Sequence, residues 1–138
     1  MQVALGMDNI HYIRYYWGEW KGWKKINSKA LKPEKVSFTL PDTVSLLNNM
    51  SYKIGSVIYI DVRMLIVKDL GQHGTVKILG VKEPILTEGK TFVIGKGMEW
   101  DITDVTYGYI GSNSVVTNAE HVKSGDYLHI NTWVIEAQ

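Results

Sequence analysis

Along residues 57–67 the chain alternates without interruption: Ile58, Ile60, Val62, Met64 and Ile66 fall on one side, Tyr59, Asp61 and Arg63 on the other. Successive side chains of a strand point to opposite faces, so a period of two predicts a strand with one buried and one open face. The alternation returns in Tyr127–Ile135, where Leu128, Ile130, Thr132 and Val134 oppose Tyr127, His129, Asn131 and Trp133. Shorter runs at 36–40, 43–47, 75–79, 91–94, 104–110 and 115–117 read the same way. Turn-forming clusters separate them: Pro41-Asp42, Asn48-Asn49, Gly71-Gln72-His73-Gly74, the break from Gly80 to Pro84, a Gly95–Gly97 turn and Gly111-Ser112-Asn113-Ser114. Turn signals every ~8–12 residues are the spacing of an antiparallel sandwich or barrel.

Residues 11–26, HYIRYYWGEWKGWKKI, hold three of the five tryptophans and three of the eight tyrosines. The apolar positions do not fit a helical stripe. Ile13 and Tyr15 alternate with Arg14 and Tyr16, and Gly18-Glu19 offers a turn, so the run predicts a small aromatic hairpin. Between it and the main run of strands, residues 27–35 have helical leanings, with Ser28 as a cap and Pro33 as a stop. The expected organisation is therefore residues 1–35 as an N-terminal hairpin and linker and 36–138 as one β-sandwich domain.

Composition narrows the function classes. A chain of 138 residues supports one core. A net charge of +1 gives little electrostatic support for nucleic-acid binding. No cysteine is present, which excludes disulfides, zinc ribbons and a thiol nucleophile. The opening MQVALGMDNIHY lacks the basic and apolar regions of a signal peptide, and no apolar run reaches membrane-spanning length. A soluble protein without membrane insertion is expected.

Several segments resemble phage tail proteins. Gly18-Glu19-Trp20-Lys21-Gly22-Trp23-Lys24-Lys25-Ile26 resembles the Gly-x-Trp-x-x-Trp-Lys-Lys-hydrophobic signature of knob or shoulder segments in tail fibres and receptor-binding proteins. Gly55-Ser56-Val57-Ile58-Tyr59-Ile60 is similar to a strand of their C-terminal head domains, and Gly74-Thr75-Val76-Lys77-Ile78-Leu79 with Pro84 to a second. Gly80 stands where a proline usually follows that leucine. Tyr107-Gly108-Tyr109-Ile110, the run 111–116, and His129-Ile130-Asn131-Thr132-Trp133 resemble the closing hairpin.

The resemblance implies a jelly-roll-like head in a homotrimer at the distal tail of the virion, acting at the host cell surface. The strand faces Tyr59/Asp61/Arg63 and Tyr127/His129/Trp133 would be available for subunit contact. It implies host recognition through a cell-wall polysaccharide or teichoic acid, and docking to other tail or baseplate proteins through a further N-terminal part. The chain is then expected as a C-terminal piece.

The residues themselves point to binding more than to chemistry. His11, His73, His121 and His129 are far apart and show no metal-ligand spacing. No nucleophile elbow or phosphate loop occurs, so no catalytic residue and no cofactor are expected. Asp101 and Asp104, with Glu99, Trp100 and Tyr107 around them, are the carboxylates a glycosidase would need, but a sandwich of this size leaves little room for a deep cleft. Saccharides stack on exposed rings while Asp, Asn and His satisfy their hydroxyls. The expected ligand-binding set is Trp100, Asp101, Asp104, Tyr107, Tyr109, Asn113 and His121. Trp133 is expected in the core or a subunit interface, and Trp20 and Trp23 to staple the hairpin to the main domain. A small polysaccharide depolymerase and a purely structural trimerisation module are the alternatives.

Overall fold

The computed structural model describes residues 1–5, 11–14, 16, 18–25, 32–99 and 101–136. It is all-β: among the described residues the one helical turn is a short 3-10 turn, Ala119–His121. No helix of the described residues is long and apolar enough to cross a membrane.

Three strands form a small sheet of their own: β1 (Gln2–Leu5), β2 (His11–Arg14) and β3 (Lys24–Lys25). The aromatic hairpin is present, with Tyr12 opposite Lys25, Ile13 opposite Lys24, and Tyr16 bridged to Trp20. Gly18, at φ 72°, takes the left-handed conformation its turn requires. The guanidinium of Arg14 lies 4.7 Å from the ring centroid of Trp20 and 4.5 Å from that of Trp23. Each contact is worth about 0.5–1 kcal/mol at an exposed site. Trp20 and Trp23, expected to staple the hairpin to the main domain, instead pack on Arg14 within the hairpin and stand exposed. Strand β1 carries no sequence signal beyond four mixed residues.

The larger sheet holds β4 (Glu34–Lys35), β5 (Phe38–Thr39), β6 (Val44–Asn49), β7 (Tyr52–Ile54), β8 (Val57–Ile66), β9 (Thr75–Val81), β10 (Thr91–Met98), β11 (Asp101–Gly111), β12 (Ser114–Asn118) and β13 (Tyr127–Ile135). Its order is β4-β7-β8-β13-β10-β11-β12-β9-β5, with β6 beside β7 on β8, and every pairing is antiparallel. Strands β4 and β5 occupy opposite edges, yet only Val36 and Ser37 separate them. Three peptide units reach at most about 11 Å, so the sheet curls until its edges nearly meet and wraps a single core. The sheet takes in Glu34 and Lys35, within the expected linker. The helical leaning of 27–35 lies outside the described residues up to 31.

The core lies where the alternation puts it. Ile58, Ile60, Val62, Met64 and Ile66 have no solvent exposure, and Leu128, Ile130 and Val134 join them from β13. The two strands pair along their length, Tyr59 opposite Trp133 and Arg63 opposite His129. Ile78, Leu79, Ile94, Ile110 and Val115 close the other side.

Strands β6 and β7 form one line against β8, interrupted at Met50 and Ser51. The buried Ser51 side chain completes the ladder there: Asp61 N donates to its Oγ at 2.8 Å, while Ser51 N donates to Asn49 Oδ1. Asn49 Nδ2 in turn donates to Val36 O at 2.7 Å, pinning the segment that joins the two sheet edges. Lys53 bonds Glu136 at 2.5 Å beyond the end of β13, and that hydrogen bond holds the ammonium above the ordinary lysine range.

Two sequence expectations are corrected. The Gly95–Gly97 stretch is no turn but the middle of β10, where Gly95 and Gly97 pair with β13. Of the two places expected for Trp133, the core is ruled out, since the residue is 42% exposed on the outer face, where a subunit contact would lie.

Candidate functional site

The outer face of the curled sheet divides into two neighbourhoods. The first lies over β6, β7, β8 and β13. Tyr52 and Tyr59 are register partners on β7 and β8, and their rings stack with centroids 4.9 Å apart. Trp133 faces Tyr59 from β13, and Lys90 Nζ sits 3.6 Å from the indole centroid while donating to Trp133 O at 2.7 Å. Burial there pushes the Lys90 ammonium below the ordinary lysine range.

Two residues further along β8, about 7 Å away, the aromatic row gives way to a polar depression of about 350 Å³. Asn48, Met50, Asp61, Arg63 and His129 line it. Strand alternation explains the grouping, because the outer positions of β8 and β13 are those that oppose the apolar core positions. His129 Nε2 lies 3.0 Å from Asp61 Oδ1, a diagonal cross-strand contact. An ionised carboxylate only accepts, so Nε2 carries the hydrogen and Nδ1 is left as the acceptor of the neutral ring. Beyond His129 the depression narrows to a crevice of about 10 Å³, room for one water, against Leu47, Glu99, Ile102 and Tyr127.

The second neighbourhood, over β10 and β11, is apolar. Val93 opposes Tyr107 and Gly95 opposes Val105, with Tyr109 opposite Thr91. Val93, Val105 and Tyr107 are exposed by 52%, 53% and 61%, and these described register partners carry no charge.

The sequence-predicted site residues are spread over this sheet. Tyr107 and Tyr109 are exposed on the outer face of β11. Asp101 and Asp104 lie on the same strand, but the register slips between them where β10 passes Lys96 and Gly97. Asp104 shares the parity of buried Thr106, approaches Lys96 at 3.7 Å and accepts from Val105 N. Lys96 also donates to His121 O at 2.8 Å, so Asp104 and His121 meet through it. Asn113 stands at the other end of β12, in the turn to β11, at φ 55°. Trp100 lies outside the described residues. Among the described residues, then, Asp104 and His121 meet at Lys96, Tyr107 and Tyr109 share the outer face of β11, Asn113 stands in the turn beyond, and no pocket brings them together.

Asp61, Arg63, His129 and Trp133, expected on open strand faces available for subunit contact, share one outer face. Their only signal was their parity on the two most regular strands. Among the described residues, no three His, Asp or Glu side chains converge as a metal would require. No family model, curated protein or solved structure matches the chain.

Proposed function

We propose that this is a phage tail receptor-binding protein that holds a saccharide of the bacterial surface, cell-wall polysaccharide or teichoic acid, on the outer face of β8 and β13. The observation that carries the reading is the depression of Asn48, Asp61, Arg63 and His129 beside the Tyr52, Tyr59 and Trp133 rings. Hydroxyl groups need donors and acceptors close together, and the C–H face of a sugar needs an apolar ring next to them. The resemblance of the aromatic hairpin and later strands to tail proteins supports the same reading. Acting from the distal tail, such sites work together: several weak contacts on one virion raise avidity without any new interaction.

The test is binding of a fluorescent fusion to isolated bacterial cell walls. His129→Ala is expected to weaken binding about tenfold, equivalent to ~1.4 kcal/mol, at an unchanged melting temperature. Equal binding by the variant would remove the depression from the reading, and no binding by the parent chain to any cell wall would end it.

A second reading, a structural module that packs against copies of itself, draws on the charge-free face of Val93, Val105, Tyr107 and Tyr109. Interface centres are depleted in charge and enriched in tyrosine. The copy number expected from the resemblance is three. Light scattering at micromolar concentration should give three times the 15.7 kDa chain mass, and Tyr107→Glu should return the single-chain mass. A single-chain mass for the parent protein would exclude both.

A further inference from the structure

We infer that the outer-face depression selects an uncharged sugar rather than a phosphate- or carboxylate-bearing one. The inference rests on the saccharide reading above and narrows its ligand class. It follows from the charges in and beside the depression. Among the described residues of the lining Arg63 is the one fixed cation; it already has an interaction of its own, and Asp61 stands two residues along the same strand. Glu99 lines the adjoining crevice together with Arg63 and His129. Among the described lining residues, and leaving the imidazole aside, the fixed charges are therefore Arg63 against Asp61 and Glu99. An anion entering here would meet Asp61 and Glu99 at short range for a single shared guanidinium.

The hydrogen-bonding inventory fits hydroxyls instead. Asp61 uses Oδ1 for His129, and its other oxygen is an acceptor. The imidazole offers Nδ1 as a second acceptor, because its Nε2–H is committed to Asp61. Asn48 supplies an amide with both roles. A hydroxyl donates and accepts at once, so adjacent sugar hydroxyls can serve acceptors and donors together. A phosphate oxygen accepts only and would leave Asp61 and Nδ1 facing it.

The discriminating variant is Asp61→Asn, which keeps the side-chain shape and removes the negative charge. The probe is a glycan array carrying neutral hexose and N-acetylhexosamine oligosaccharides beside uronic-acid glycans and glycerol-phosphate oligomers. The full chain should bind neutral glycans, changing less than about twofold between 50 and 500 mM salt, because no net ion pair is screened. Asp61→Asn should weaken that binding about tenfold. Binding confined to anionic glycans that falls with salt and is strengthened by Asp61→Asn would overturn the inference while leaving the saccharide reading intact. No binding to any glycan would overturn the reading itself. The salt dependence of the parent chain decides the matter even if Asp61→Asn does not fold.

Discussion

Replacing Ile60 by Asp is expected to yield no soluble folded protein. Ile60 is fully buried near the middle of β8, opposite Thr132 of β13, within a core of aliphatic side chains. A carboxylate at that position loses its water and finds no cation, which costs several kcal/mol. Total stability is of the order of 5–15 kcal/mol, so the substitution removes most or all of it. Ile60→Val is the control: it deletes one methylene, costs about 0.5–1.5 kcal/mol and leaves a soluble protein. Expression and thermal melting of both variants check the result. A soluble Ile60→Asp chain with the parent melting temperature would mean that the other face of β8 is the buried one.

Gly97→Ala has the second largest effect expected. Gly97 sits where three strands meet, paired with Tyr127 on β13 and Ile102 on β11. A Cβ there would lie 1.8 Å from Asp101 O, 2.8 Å from Asp101 C and 3.0 Å from Ile102 Cα. All three are backbone atoms, so no rotamer change relieves the clash and the strands must separate. A loss of about 2–3 kcal/mol is expected, as for other overpacked sites, and a fall in melting temperature of roughly 10 °C. Because Tyr127 is two residues from His129, saccharide binding should weaken as well. Gly22→Ala, with nothing within 4 Å of its added Cβ, should melt as the parent does. An unshifted Gly97→Ala would show that the bulge between β10 and β11 is loose enough to absorb a methyl group.

That glycine also shows where reading the sequence stops working. Gly95 and Gly97 look like turn residues because glycine is usually punctuation. Here the missing side chain admits a neighbouring carbonyl, a requirement that arises only once β11 has folded back. Strands β8 and β13 were legible for the opposite reason: each alternates over nine or more residues, and burial of one face is all that such a pattern encodes. Strand β7, three residues long, owes its place to pairing with β8 across the Gly55 turn and has no pattern of its own.

The polar depression was hidden because its residues come from separate stretches around 48–50, 61–63 and 129, and no spacing announces their meeting. The exposed aromatics of β11 were legible as exposed. Their separation from Asp104 follows from strand parity and the slipped register, neither of which composition reveals.

The pairing of β8 with β13 bears on how the chain is made. Asp61 and His129 meet although they lie 68 positions apart, so the centre of the sheet cannot close until β13 has emerged from the ribosome. Until then the apolar side of β8 has only the local hairpin with β6 and β7 to shield it. Contacts this distant slow folding, because loop closure must be completed before the pairing is gained. At synthesis rates of about 5–20 residues per second, the exposed interval is several seconds. The charged and aromatic outer positions of β8 then act as gatekeepers of the nascent chain, keeping one side of a very apolar strand soluble while it waits for its partner.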